Sequence, residues 1–289
     1  MQIYLEAFFE SCLGTLNWTW KSILFQVPWY SNYFWGLILI SLAVWSMEIL
    51  FPWRKEQSIV RKDFGLDVFY MFFNFFIFTI VISGFYKILE LVFGKWGITA
   101  GSLAFVDTSS LPIWTQLLIF FVLLDFVQWF THICLHRFPI LWRFHKIHHS
   151  VKEMGFAAHL RYHWMENILY KPLKTLGVML LGGFEPEQAY VVHFAAITIG
   201  HFNHANIKLT YGPLKYVFNN PVMHLYHHAY SLPKDAFGVN FGISLSLWDY
   251  LFGTHHIPED SGTIPLGFPG EETVPKTFWG QLIYGFKKK

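Results

Sequence analysis

Three long apolar stretches constrain the fold of this chain more than any other feature of its sequence. They run from Phe34 to Phe51, from Val68 to Tyr86 and from Thr108 to Thr131. Each approaches the roughly 20 residues that an α-helix needs to cross the hydrocarbon core of a bilayer. Because backbone N–H and C=O groups in that core must be satisfied within the segment, each stretch is predicted to form a membrane helix.

The charge content agrees with a membrane protein. Only 14% of the 289 residues are charged, whereas soluble domains carry about 25%. The net charge is +2 and the basic residues are scattered along the chain, so the clustered basic stripe of a nucleic-acid-binding protein is missing. The two cysteines, Cys12 and Cys134, do not make a disulfide framework.

Two further segments are predicted to be helical. The apolar region from Asn167 to Asn203 is broken near its middle by a Gly-Gly-Phe-Glu-Pro sequence that begins at Gly182, which predicts a helical hairpin embedded in the membrane. The segment from Met1 to Trp18 is predicted to be an amphipathic helix, either at the membrane surface or packed in the core. The expected fold is an all-α integral membrane protein with about four transmembrane or embedded helices.

Histidines are confined to one part of the chain. All 15 lie between His132 and His256. They form an H-x-x-x-H motif at 132–136, H-x-x-H-H at 145–149, H-x-x-x-H at 159–163, H-x-x-H at 201–204 and H-x-x-H-H at 224–228. Residues three and four apart project from one face of a helix, so each motif can direct two or three imidazoles at one point. Imidazole is a good ligand for zinc, iron, copper and nickel, and about ten such side chains predict a pair of metal ions rather than one.

Some of the histidines are expected to have other roles. A lone histidine on an apolar helix face, such as His193, is more often a hydrogen-bonded packing residue. His255 and His256 lie in a polar segment and are expected at the surface. The spacing of His201 to His204 is compatible with a ligand pair, and the role of His159 stays open.

The order of the histidine motifs resembles that of the sterol desaturase and fatty acid hydroxylase superfamily, whose members are membrane-bound non-haem di-iron oxygenases. The resemblance covers Leu123 to Thr254. Outside the histidine motifs it rests on Asp125, Arg161-Tyr-His163-Trp-Met-Glu166, His204-Ala-Asn206, Asn240-Phe-Gly242 and Trp248-Asp249-Tyr-Leu-Phe252-Gly253-Thr254. One departure is Ile133, which stands where the commoner pattern of the first motif has Arg.

This resemblance implies a specific set of residues and cofactors. Metal ligation is implied for His132, His136, His145, His148, His149, His163, His204, His224, His227 and His228, and all of these except His163 and His204 are also implied to be catalytic. The implied cofactors are two iron ions, with zinc as a substitute, and dioxygen as co-substrate. The implied reaction is hydroxylation or desaturation of a membrane lipid of the sterol, fatty acyl, fatty alcohol or alkylglycerol type.

Four carboxylates are candidates to hold the outer N–H groups of the ligand histidines, namely Asp125, Glu166, Asp235 and Asp249. Asp125 is the best of them, because an acid inside an apolar helix is costly unless it has a function. An ordinary helix cap or surface ion pair is the alternative for each.

Electrons for oxygen activation are expected to come from a separate protein. The sequence has no dinucleotide-binding fingerprint, no haem-attachment motif and no cysteine set for an iron–sulfur cluster. The resemblance suggests a cytochrome b-type carrier or a ferredoxin with its reductase. A zinc-dependent membrane hydrolase, a bis-histidine haem protein and a metal transporter remain alternatives, although catalytic zinc usually has only three protein ligands.

The basic residues predict how the chain is oriented and divided. The loop after the first apolar stretch and the segment after the third are both rich in Lys and Arg, which favours the cytosolic side for both. We expect a membrane region at 1–131, a histidine-rich catalytic region with the embedded hairpin at 132–256 and a cytosolic tail at 257–289. The histidine site would lie in a helical cap on the cytosolic side, at the endoplasmic reticulum in a eukaryote or the inner membrane in a bacterium.

Overall fold

The computed structural model describes residues 1–99, 101–184, 186–258 and 263–286. The α-helices are α1 (Gln2–Ile23), α2 (Tyr33–Leu50), α3 (Phe64–Phe72), α4 (Phe78–Gly94), α5 (Ile113–Arg137), α6 (Pro139–His149), α7 (Trp164–Met179), α8 (Pro186–His204), α9 (Pro221–His227), α10 (Leu247–Leu251) and α11 (Phe278–Leu282). A π-helical turn, Phe73–Ile77, joins α3 to α4. The strands β1 (Val106–Asp107) and β2 (Leu181–Gly182) pair in parallel. The predicted all-α class is confirmed.

Three helical segments are long and apolar enough to cross a membrane, namely Tyr33–Leu50, Phe64–Gly94 and Ile113–Arg137. They overlap the three predicted apolar stretches, although the third helix begins at Ile113 rather than Thr108, because the residues between form a turn that ends at Pro112. Large apolar side chains on these segments are exposed, among them Leu39, Phe85 and Phe130. Exposed apolar surface on this scale marks contact with lipid rather than water, so the prediction of an integral membrane protein is confirmed.

The hairpin predicted between Asn167 and Asn203 consists of α7 and α8. The chain reverses through β2 and Gly183, whose φ is 87°. A Cβ at Gly183 would lie 2.4 Å from the backbone nitrogen of Ser109, so only glycine fits at this reversal. Neither helix is among the three candidate membrane spans.

The N-terminal helix α1 packs along α4. Phe8 and Cys12 lie over Gly84, where a Cβ would approach the Phe8 ring to 2.5 Å. Most of the other large apolar side chains of α1, including Leu5 and Leu13, are exposed. The helix therefore covers α4 with one face and presents a second apolar face outward.

Carboxylates of α2 and α3 connect these helices to the histidine-bearing segments. Glu48 of α2 accepts hydrogen bonds from the backbone N–H groups of Phe156 and Asn206, both at 2.8 Å. Asp67 of α3 bridges Arg61 and Arg161, and all three of these side chains are buried. A buried ion pair left without one partner is strongly destabilising, so these contacts hold the chain at residues 156–161 against α2 and α3.

Candidate metal centre

Nine of the ten histidines implied as ligands meet in two groups. The first group contains His132, His136, His145, His149 and His227, and the second contains His148, His204, His224 and His228. Within each group, one ring nitrogen per residue lies within 4.8 Å of all the others. All nine are buried except His136, which is intermediate.

Helical periodicity explains how the two H-x-x-H-H motifs serve both groups. On α6, His145 and His149 are four residues apart and join the first group, whereas His148 joins the second. On α9 the assignment is reversed, because His224 joins the second group together with His228, and His227 joins the first. Residues at i and i+4 lie on the same side of a helix, so the two motifs face each other across the site.

Backbone carbonyl oxygens determine which nitrogen of several rings points into each group. Four Nδ1 atoms donate to such oxygens, namely His132 to Phe241 at 2.8 Å, His148 to Arg161 at 3.1 Å, His204 to Gly200 at 2.8 Å and His227 to Val239 at 2.7 Å. A carbonyl oxygen can only accept, so Nδ1 carries the proton in these rings. The Nε2 lone pairs are left facing the interior of the groups.

These inward-facing nitrogens are better placed to bind a metal ion than to form hydrogen bonds with one another. The Nε2 atoms of His132 and His145 are 3.1 Å apart, and those of His204 and His224 are 2.9 Å apart. In the described part of the chain, the buried Nε2 atoms of His136, His149 and His227 have no hydrogen-bond partner. Unpartnered buried acceptors are costly, and a cation in the first group would satisfy these three, while a cation in the second would replace the close contacts of His224 Nε2 with His204 and His228. Both groups can therefore bind metal.

Burial keeps the imidazoles neutral. It lowers the pKa of His148 to about 3, and it lowers the pKa values of His149, His224, His227 and His228 well below the ordinary value, with neighbouring histidines adding to the effect. Neutral imidazole is the form that ligates metals. The site is thus prepared to bind a cation at neutral pH without first losing protons.

Of the four candidate carboxylates, Glu166 contacts a ligand histidine, since its Oε2 lies 3.0 Å from Nδ1 of His145. Asp125 instead accepts from the backbone N–H groups of Ser244 and Leu245 and from the Trp248 indole, at 3.0–3.1 Å. Asp249 likewise accepts from backbone N–H groups, and Asp235 is exposed. The hypothesis of direct contact is correct for Glu166 and wrong for Asp125, Asp235 and Asp249.

His163, the tenth implied ligand, lies in neither group. Its Nε2 is 2.9 Å from the carbonyl oxygen of Leu282, and its Nδ1 accepts from the backbone N–H of Met165 at 3.1 Å. Both ring nitrogens therefore have partners, and the geometry lends no support to metal ligation by His163. His201 also lies outside the groups, because its Nδ1 is 2.8 Å from Nδ1 of His159 and its Nε2 is 3.1 Å from Oγ of Ser41.

A cavity of about 930 Å³ adjoins both groups. Histidines from both groups line it, including His132 and His145 from the first and His148 and His224 from the second. Its wall also contains Lys171 and Lys174 of α7, which the sequence reasoning missed. The available signal was a pair of lysines within the apolar region that the sequence predicts to be an embedded hairpin, since charges in such a region usually have a function.

Comparison with known proteins identifies similar sequences. Residues 117–254 match the fatty acid hydroxylase family. An ornithine lipid hydroxylase of Rhizobium tropici is 31% identical over 178 residues, which is 62% of this chain and 52% of that protein. Human alkylglycerol monooxygenase is 28% identical over 157 residues, or 52% of this chain and 32% of that protein. The chain thus spans about half the length of the first relative and about a third of the second. No solved structure matches the chain significantly.

Proposed function

Because the chain belongs to the sterol desaturase and fatty acid hydroxylase superfamily through residues 117–254, we propose that it is an oxidoreductase that uses dioxygen to oxidise a membrane lipid at a histidine-bound pair of iron ions. The observation that carries the proposal is the convergence of nine buried histidines in two adjoining groups. Nine imidazoles exceed the three protein ligands typical of catalytic zinc, which argues against a zinc hydrolase. Facing groups of five and four also exceed the single pair that a bis-histidine haem requires.

Each group would hold one metal ion. The first group would contribute His132, His136, His145, His149 and His227, and the second His148, His204, His224 and His228. When bound, iron would supply the activation of dioxygen. Glu166 and the backbone carbonyl oxygens hold the outer ring protons and so keep the imidazoles oriented, and the burial of the site keeps bulk water away.

The substrate is proposed to be a lipid that undergoes hydroxylation or desaturation. Relatives of the chain include an ornithine lipid hydroxylase and alkylglycerol monooxygenases, and the wall of the cavity beside the histidines carries apolar side chains from three helices, among them Phe75, Phe120 and Val192. A cavity of this kind can hold an acyl or alkyl chain while one carbon reaches the metal groups.

Electrons are proposed to arrive from a cytochrome b-type protein or from a ferredoxin and its reductase. Exposed basic residues lie on the loops after α2 and α6, including Lys55, Lys62 and Lys152, the last of which also pairs with Glu271. These loops are in contact, because Arg54 donates to the carbonyl oxygen of Met154 at 2.9 Å. Such a basic surface would attract an acidic electron carrier.

The proposed orientation is multi-pass, with the histidine groups and this basic surface on the cytosolic side. In a background without Cys12 and Cys134, single cysteines at Lys55 and Lys152 are expected to react with a membrane-impermeant thiol reagent from the same side. A cysteine at Lys95, after α4, is expected to react only from the opposite side, because one membrane crossing separates it from each of the others. Labelling of Lys55→Cys and Lys152→Cys from opposite sides would contradict the orientation.

The proposed function is tested by metal removal and isotope labelling. Purified protein with a reductant and candidate lipids is expected to oxidise one of them only under oxygen, to lose turnover after chelation and to regain it with iron. In a hydroxylation, mass spectrometry with ¹⁸O₂ should find labelled oxygen in the product. A lipid product formed anaerobically without reductant would indicate a hydrolase instead, and a Soret band in the purified protein would indicate haem.

A further inference from the structure

Helix α7 turns a polar face toward the cavity. Asn167, Tyr170, Lys171, Lys174 and Thr175 follow one another at the spacing of a single helix face, and all five line the 930 Å³ cavity. A helix packed beside membrane segments usually places apolar residues inward. The reversed pattern on α7 gives the cavity one polar wall.

The two lysines of this wall have no acidic partner in the described part of the chain. Lys171 donates from Nζ to Oγ1 of Thr79 at 3.0 Å, and Nζ of Lys174 lies 5.6 Å from the centre of the Tyr170 ring. No described carboxylate oxygen lies within the 4.0 Å limit of an ion pair from either ammonium. Keeping an ammonium charged at the wall of a largely apolar cavity, with no ion-pair partner, costs free energy.

The acids that line the same cavity form hydrogen bonds with groups other than the two lysines. Asp125 accepts from the backbone N–H groups of Ser244 and Leu245, and Glu166 accepts from the ring of His145. The cavity wall therefore presents two cations that form no direct ion pair with a described acid. Asp125 is near enough to favour the charged form of Lys174, but no described carboxylate contacts either ammonium.

Other parts of the cavity wall are apolar. Phe75, Phe120, Leu124, Val192 and Ile197 line it together with the polar face of α7. An occupant that matches both kinds of surface must carry a hydrocarbon chain and an anionic group. The volume of about 930 Å³ lies within the usual range for ligand pockets.

We infer that Lys171 and Lys174 bind an anionic oxygen group, a phosphate or a carboxylate, of the lipid that occupies this cavity. The inference rests on the proposed function, because it names the class of substrate for the same site. The lysines follow Glu166 by five and eight residues, or roughly 8 and 12 Å along the helix. The carbon presented near His145 would be separated from the anionic group by a similar distance.

Equilibrium binding of chain-matched lipids tests this inference. Metal-loaded protein in a non-ionic detergent, without reductant, is titrated with oleoyl lysophosphatidic acid against monooleoylglycerol, and with oleic acid against oleyl alcohol. The wild type is expected to bind the anionic member of one pair at least about tenfold more tightly, as charge-assisted hydrogen bonds require. The pair that shows the preference identifies phosphate or carboxylate as the bound group.

Matched variants assign the preference to the two lysines. The double variant Lys171→Gln and Lys174→Gln should lose the preference while binding the neutral lipid as before, and Lys171→Arg with Lys174→Arg should retain it. Lys208→Gln, at an exposed lysine away from the cavity, should behave as the wild type. Should the double glutamine variant fail to fold, each single glutamine variant should lower the preference.

In the titrations, two results would overturn the inference, namely equal binding within both lipid pairs by the wild type, or a full preference in the folded glutamine variants. Metal content, measured on every sample, reports on folding and on the histidine groups independently of lipid binding. Because binding is measured without turnover, a lipid preference would survive failure of the oxygenase proposal. Oxidation of a neutral lipid alone would sustain the oxygenase and reject the lysine site.

Discussion

Replacing His149 or His228 by Ala is expected to remove about one metal ion per chain and to lower lipid oxidation more than about 100-fold. His149 belongs to the first histidine group and His228 to the second. Loss of a residue that only orients a ligand already costs about 10- to 100-fold in metal affinity or activity, so loss of a ligand itself should cost more. No other described histidine is placed to substitute, because the remaining members of each group already share the site.

Elemental analysis separates the two groups. The wild type should contain about two metal ions per chain, each single variant about one and the double variant close to none. His255→Ala is the matched control, since His255 is exposed and stacks on Tyr250 at 4.4 Å outside both groups. Near-normal metal content and turnover in both single variants would show that the di-metal proposal is wrong.

The family resemblance and the geometry of the structure predict different roles for His163. The resemblance implies that His163→Ala loses metal, whereas the hydrogen bonds of both ring nitrogens to the backbone around Met165 and Leu282 predict that metal content is retained. The metal content of His163→Ala is best compared with that of His201→Ala. His201 also lies outside the groups, in contact with Ser41 and His159.

Replacing Asp249 by Ala is expected to lower the free energy of unfolding by about 4 kcal/mol, since it leaves several buried donors without an acceptor and each costs about 1–3 kcal/mol. Asp249 is fully buried and accepts from the backbone N–H groups of Phe241 at 2.9 Å and Gly242 at 2.7 Å. Its Oδ1 also accepts from the Thr254 hydroxyl at 2.6 Å and the Trp129 indole at 3.2 Å.

The same substitution should weaken the first histidine group. The carbonyl oxygen of Phe241 accepts the Nδ1 proton of His132 at 2.8 Å, so displacement of this loop releases the ring. Thermal unfolding in detergent, monitored with metal content, should show a lower Tm and a partial loss of metal. Glu56→Ala, at an exposed acid, should stay within about 0.5 kcal/mol of the wild type. An unchanged Tm for Asp249→Ala would contradict the role assigned to this carboxylate.

The membrane segments could be predicted from the sequence because the requirement they meet is local. A run of apolar residues long enough to cross a bilayer must satisfy its own backbone, and only a helix does so. The same locality explains why the histidine spacings were informative, since His145 with His149 and His224 with His228 share a helix face whatever else the chain does.

Other features depended on contacts between residues far apart in the chain. Spacing could not reveal that His148 joins His224 rather than His145, that His163 turns to the backbone at Leu282, or that Glu166 rather than Asp125 holds a histidine. Nor could it reveal that Lys171 and Lys174 border the cavity beside the histidines. The sequence by itself determined which segments are membrane helices and which histidines share a helix face, because both follow from the geometry of one helix. Only the tertiary structure decided which faces meet and which charges are left without a partner, because these depend on how separate helices pack.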